Sequence, residues 1–224
     1  MTIQQISFKV PPGLWSSFKE QTDALFLARA PFLNHMIMSE VPHLKTDLQG
    51  CRVSLRAKRH IGGELKRQGA KSVNIEVDVG TAAALSDAVA EHNLVRDAFL
   101  CRLVIFLRSS DALLKYLEVP REAGGRLSGG GLEKMPASPL KAMEAVRDDP
   151  LFYVRHFVRE NWECGIYRVA LPRSYDWAAC FLDDKDVPGT KAHRSDQKAM
   201  AQLFESFEVK SLTKSSAAKK RTTK

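Results

Sequence analysis

The 224-residue chain contains no apolar run of the ~18 residues that a membrane-spanning helix needs. The best candidate, Ala98 to Leu107, is broken by Arg102. The opening Met-Thr-Ile-Gln-Gln has neither a basic n-region nor an apolar h-region, so no secretory signal is expected. Cysteine is sparse: Cys51, Cys101, Cys164 and Cys180 are far apart and form no C-x-x-C pair. That usage argues against a disulfide scaffold or a structural zinc, and for a reducing, cytoplasmic setting. Catalytic signatures are also missing. Gly124-Gly125 and Gly129–Gly131 are not followed by Gly-Lys-Ser/Thr, so they do not make a phosphate loop. There is no HExxH and no nucleophile elbow. With 44% hydrophobic and 27% charged residues, the composition is that of an ordinary globular chain.

Positive charge is what the chain has in excess: 34 Lys+Arg against 26 Asp+Glu, a formal +8. The excess is localised. Residues 51–71 carry seven basic and one acidic side chain, net +6, and residues 213–224 carry five basic and no acidic ones. Residues 1–50 are neutral, 72–120 are net −3, and the remainder balances. Concentrated basic stretches are an electrostatic footprint for an anionic polymer.

The chain also repeats itself. Shifting it by 67 positions aligns Ile6–Ile37 with Val73–Val104 without a gap. Six positions are identical: Val10/Val77, Gly13/Gly80, Leu27/Leu94, Arg29/Arg96, Phe32/Phe99 and Leu33/Leu100. Each copy opens with period-two alternation, Ile6, Phe8, Val10 and Val73, Ile75, Val77, which predicts a half-buried strand. A helix start follows, with Pro12 in one copy and Asp78 as N-cap in the other. The first helix carries Trp15, Phe18, Thr22 and Leu25, or Ala82, Leu85, Val89 and His92. After a break comes a second helix, with Pro31 in its first turn or Asp97 as its N-cap. Its stripe is Phe32, Leu33, Met36 and Ile37, or Phe99, Leu100, Leu103 and Val104. One such unit of ~35 residues leaves an unpaired strand edge and an open apolar face; two units can pair strands and bury helices on each other.

Strand, helix, helix with this alternation resembles the ribbon-helix-helix DNA-binding family, the class of the Arc and MetJ repressors. Val73-Asn-Ile-Glu-Val followed by Ala88-Val-Ala-Glu-His-Asn is the closest stretch, and the resemblance covers about residues 3–40 and 71–108. It implies a mainly α fold with a two-stranded antiparallel β-ribbon, built as a tandem ribbon-helix-helix in one chain. It implies that the ribbon enters the major groove of double-stranded DNA. The base-reading side chains would be Gln5, Ser7, Lys9, Ser72, Asn74 and Glu76, with Arg29 and Arg96 on phosphates at the starts of the second helices. Glu76, Asp97 and the net negative second copy depart from the pattern.

The tandem domain is expected over 1–120, with a basic connector at 41–70. Val41-Pro42 is expected to end the second helix and Gly62-Gly63 to interrupt the connector. The connector's Arg52, Arg56, Lys58, Arg59, Lys66 and Arg67 would add phosphate contacts that fix register without reading sequence. A Gly-rich linker is expected at 121–137, then a small, separate α+β C-terminal domain at 138–212 that binds a partner or self-associates, then a disordered basic tail at 213–224. In that domain Ser138-Pro139 starts one helix, Leu151–Asn161 forms another, Ile166–Leu171 alternates as a strand, and Ser195–Phe207 forms a helix carrying Met200. The His156/Glu160 pair and the acids Asp183, Asp184 and Asp186 are read as a surface ion pair and a solvated turn, not as a metal or catalytic site. The expectation is a non-enzymatic, cofactor-free DNA-binding protein, a regulator of transcription or an organiser of mobile-element DNA. The alternative is an antitoxin-like or effector-associated interaction module whose ribbon serves assembly.

Overall fold

The computed structural model describes residues 2–119 and 149–202. The chain divides into two compact units, Met1–Phe181 and Leu182–Lys224. The linker at 121–137, the helix from Ser138-Pro139, residues 203–212 and the basic tail lie outside the described residues.

The first unit is mainly helical with one two-stranded antiparallel sheet. Strand β1 (Ile3–Val10) buries Ile6, Phe8 and Val10 and exposes the residues between them. Strand β2 (Lys71–Asp78) buries Ile75 and Val77 and half-buries Val73. Alternating β-branched and aromatic residues thus give each strand one apolar and one polar face. The register pairs Gln5 with Glu76, Ser7 with Asn74 and Lys9 with Ser72.

Helix α1 (Pro12–Ala24) starts at a proline, whose missing N–H is no loss in a first turn. Leu14, Phe18 and Thr22 form its buried stripe, and the Thr22 hydroxyl donates back to the Phe18 carbonyl at 3.0 Å. Trp15 is only half-buried and Leu25 is exposed, so the inward face is rotated from the one read in the sequence. Helix α2 (Arg29–Asp47) runs through Pro42 instead of ending there. An interior proline costs about 3 kcal/mol. Burial of Met36, Ile37, Glu40, Val41 and Leu44 on both sides of it outweighs that cost. Helix α3 (Leu55–Arg67) likewise passes through Gly62-Gly63. Its N-cap Ser54 accepts from the Ala57 N–H at 3.0 Å, and Ala57, Ile61 and Leu65 make a buried stripe one turn apart. The connector is therefore a packed helix, against the 3-10 turn Arg173–Ala178 and helix α5 (Arg96–Arg108).

Helix α4 (Val79–His92) follows β2 directly. Asp78 holds its N-cap position, but its carboxylate accepts from the Asn34 amide at 2.9 Å and makes no cap bond. The cap of α5 is Val95, not Asp97, which lies inside the first turn. Every residue of α5 from Ala98 to Phe106 is buried, the pattern of a helix surrounded on all sides. The packing crosses over: α2 lies on β2 and α4, while α5 lies on β1 and α1. A short helix α6 (Asp111–Tyr116) is capped by Ser110.

Residues 149–181, expected in a separate domain, belong to this first unit. Helix α7 (Phe152–Trp162) packs by Val154, Phe157 and Val158. Its Arg155 donates to the buried Glu40 of α2 and to Asp149, and the Tyr167 hydroxyl donates to the other Glu40 oxygen at 2.7 Å. Residues 166–171 form turns, not a strand. Burial alternates only from Tyr167 to Leu171, with Ile166 buried as well, and the carbonyls of Ile166, Val169 and Ala178 accept from the Arg102 guanidinium, which takes the place of a strand neighbour. This is why α5 tolerates an arginine at its centre.

The second unit shows a turn at 183–190 and a helix over 191–202. The Thr190 hydroxyl accepts from the His193 N–H at 2.9 Å at the helix start. Met200, expected on an apolar stripe, is 46% exposed.

Candidate nucleic-acid interface

The six ribbon residues singled out from the sequence, Gln5, Ser7, Lys9, Ser72, Asn74 and Glu76, are all exposed. Strand alternation puts them on one face, and the register arranges them as three adjacent cross-strand pairs. Ser7 and Ser72 share a hydroxyl–hydroxyl hydrogen bond of 2.5 Å across the strands. The outer edge of β1 is held by α5: Arg96 donates to the Ser7 carbonyl, and the Cys101 thiol contacts the Lys9 carbonyl at 3.3 Å. On the β2 side Asn34 donates to the Asp78 carboxylate and accepts from its N–H at 2.8 Å. These edge contacts fix the ribbon's height above the helices, and Asn34 and Cys101 carry no signal in the sequence that would have found them.

Arg29 and Arg96 are the first residues of α2 and α5, where helix N–H groups lack intrahelical partners. Arg29 is engaged by Asp23, and Arg96 also lies 3.5 Å from Asp97. An open cavity of about 470 Å³ sits between the end of α4 and the start of α5, and Lys58, Asn93 and Arg96 line it. Lys58 donates to the Asn93 side chain at 2.9 Å, while Asn93 itself donates to the Val53 carbonyl at 2.7 Å. The structure therefore brings together two expected phosphate-binding cations, Lys58 and Arg96, that are 38 positions apart in the sequence.

The other connector cations are spread along and before α3. Arg52 donates to the Glu91 carbonyl at 3.2 Å, and Arg67 pairs with Glu64 one turn away. Arg56, Arg59 and Lys66 are exposed. Arg52 apart, they share helix α3 with Lys58, and that helix packs on α5 and the 3-10 turn. Lys71 is exposed at the start of β2, opposite Val10, on the strand face of Val73, Ile75 and Val77 and not on the outer face.

Elsewhere, His156 and Glu160 form an i,i+4 pair at 3.1 Å, with His156 half-buried and Glu160 exposed. Among the described residues no group of three or more His, Cys, Asp or Glu side chains is placed to hold a metal ion. All four cysteines are free thiols, and burial pushes the Cys180 thiol up to about 12 and raises Cys101 still further. Such thiols stay protonated and packed. Among the described residues no helix is long and apolar enough to cross a membrane. No family model, no curated protein and no solved structure matches the chain.

Proposed function

We propose that this protein binds double-stranded DNA through the outer face of the β1–β2 ribbon, as a single-chain tandem ribbon-helix-helix. The observation that carries the reading is internal symmetry. The helix starts Pro12 and Val79, and Arg29 and Arg96, are each 67 residues apart, the same shift that aligns the sequence copies. The left-handed residues Phe26 and Asn93 that end α1 and α4 obey it too. So do the backbone bonds behind them, Leu27 to Thr22 and Leu94 to Val89, both 2.9 Å. The strand register obeys it as well: the shift turns the pair Lys9↔Ser72 into Glu76↔Gln5, and both pairs occur. Ser7↔Asn74 is thus the pair on the pseudo-dyad. The crossed packing of α2 on β2 and α5 on β1 is the arrangement an intertwined pair of half-domains requires.

An exposed two-stranded ribbon fits the major groove, and Gln, Asn, Lys and Glu are side chains that read base edges there. Near-neutral outer strands supply choice of site. Arg96, Lys58 and the exposed cations of α3 supply grip through phosphate contacts. The role is that of a transcriptional regulator or a mobile-element DNA-organising protein.

A second reading, a protein-interaction module, is favoured by the intramolecular engagement of several cations: Arg29 with Asp23, Arg67 with Glu64 and Lys58 with Asn93. Duplex binding measured at several salt concentrations separates the two. The DNA reading expects log affinity to fall with log salt by about 0.9 per phosphate contacted. It also expects the Gln5/Ser7/Lys9→Ala variant to lose sequence preference. A variant with unchanged preference would refute the ribbon face as the reader, and an absence of duplex binding at low salt would favour the interaction module.

A further inference from the structure

Lys9 and Glu76 occupy the same position in the two halves of the ribbon, 67 residues apart, each two residues from the central Ser7↔Asn74 pair. Both are exposed on the outer face. The pseudo-dyad therefore relates a cation to an anion. A homodimer cannot do this, because its interface and its outer face repeat identically. Resting on the DNA-binding reading above, we infer that the ribbon selects a non-palindromic site with two guanines on the same strand, one under Lys9 and one paired to a cytosine under Glu76.

The argument is one of donors and acceptors. Toward the major groove guanine presents only acceptors, O6 and N7, and an ammonium group can donate to them. In a site with a true dyad, the base beneath Glu76 is the mate of the one beneath Lys9, a guanine on the opposite strand. A carboxylate there faces acceptors alone and is repelled. Cytosine presents its N4 amine, which a carboxylate accepts. Cytosine on that strand means guanine on the strand Lys9 reads. The inverted arrangement G…C is thus replaced by the direct arrangement G…G. Two residues of extended strand span about 7 Å. Lys9 and Glu76 are then about 14 Å apart along the ribbon, roughly four base-pair steps at about 3.4 Å each. The neighbours reinforce the polarity. Gln5 stands beside Glu76 and Ser72 beside Lys9, so the two ends differ in hydrogen-bonding type as well as in charge.

The test is selection from a randomised duplex library with the full chain. Titration of a direct G…G duplex and an inverted G…C duplex of equal length follows. The wild type is expected to enrich the direct arrangement and to bind it about tenfold more tightly. Glu76→Lys, on an exposed position that leaves the core intact, should reverse the preference toward the inverted duplex. Thermal melts of both proteins establish that the variant is folded. Enrichment of palindromic sites by the wild type, with binding retained, would overturn this inference and leave the DNA-binding reading standing. A Glu76→Lys variant that binds with unchanged preference would overturn it too. Failure to bind any duplex at low salt would overturn the DNA-binding reading and this inference with it.

Discussion

Glu40 is the residue whose removal tests the architecture most directly. It lies in the middle of α2 with its side chain fully buried. One carboxylate oxygen accepts from Arg155 and the other from the Tyr167 hydroxyl at 2.7 Å. Both donors come from the stretch that the sequence assigned to a separate domain. Glu40→Gln leaves the Arg155 guanidinium, whose side chain is 4% exposed, with Asp149 as its remaining anion. Removing one partner of a buried pair costs about 3–5 kcal/mol. The surviving Asp149 contact puts this case near 3 kcal/mol. For a chain of this size that is a fall of roughly 6–12 °C in melting temperature. Replacing Glu40 and Arg155 together by Leu should cost less than the sum of the two single changes, because no unpaired charge is left behind.

Tryptophan fluorescence in urea is the natural assay. Trp15 lies in α1, Trp162 ends α7 and Trp177 sits in the 3-10 turn. Single-tryptophan variants made by Trp→Phe changes therefore report from both halves of the first unit. If residues 149–181 complete the core around α2 and α5, all probes move at one midpoint, and Glu40→Gln shifts every one of them. Two separated midpoints, or a Glu40→Gln shift confined to Trp162 and Trp177, would refute the single-unit account and restore the independent domain.

Three further outcomes follow from particular residues. Phe26 has φ 55° and is 96% exposed, whereas its counterpart Asn93 holds the same conformation with a residue suited to it; Phe26→Asn should stabilise the fold by about 1 kcal/mol in a thermal melt, and destabilisation would mean that the ring has a packing role. A Cβ at Gly165 would lie 1.9 Å from the Asp47 carboxylate, which already accepts from Arg159 at 2.9 Å and from the Tyr167 N–H at 3.2 Å. Gly165→Ala must displace that carboxylate and should cost about 2 kcal/mol or more in urea unfolding, and a neutral result would deny the close approach. The third is a pH effect. Burial and the nearby Arg155 hold His43 below its ordinary 6.5, so on acidification the unfolded chain takes the proton first. Stability is then full above about pH 6.5 and falls as the pH drops through the lowered value. His43→Gln should flatten that part of the stability profile, and an unchanged slope would refute the assignment.

The elements legible in the sequence were those whose burial followed a strict local period. Alternation fixed both strands, and Pro12, Pro31 and Asp78 marked three helix starts, because these signals are local; Asp97 did not, since it lies inside the first turn of α5. What the sequence hid were decisions made by distant partners. Pro42 and Gly62-Gly63 read as breaks, yet Met36, Ile37 and Leu44 in one helix and Ala57, Ile61 and Leu65 in the other are held by tertiary burial that exceeds the local penalty. The alternation at 166–171 read as a strand because Tyr167, Val169 and Leu171 are buried with exposed residues between them. The hydrogen-bond partner of that backbone, Arg102, comes from 64 residues upstream of Ile166 and has no local signature. In the candidate interface the outward strand residues were legible for the same reason as the strands. The Lys58–Arg96 cavity was not, since it depends on how α3 returns to the α4–α5 corner.

That return has a consequence for the proposed tandem reading. The α4–α5 corner is tied to the connector: Val53 donates to the His92 carbonyl at 2.9 Å, the His92 ring bonds the Cys51 carbonyl at 2.9 Å, and Asn93 donates to Val53. Leu25 and Phe26 at the equivalent α1–α2 corner are exposed. In a symmetric dimer both corners would be the same, and each substitution would have to suit two environments. Joining the halves in one chain removes that constraint, so one corner can gather Lys58 and Arg96 while the other remains bare. Phosphate grip should therefore be stronger on the α4–α5 side, and Lys58→Gln should reduce the salt slope of duplex binding by about one contact while Arg29→Gln reduces it by less. Equal losses in the two variants would mean that the two halves hold the backbone alike, and the asymmetry would then be confined to the ribbon.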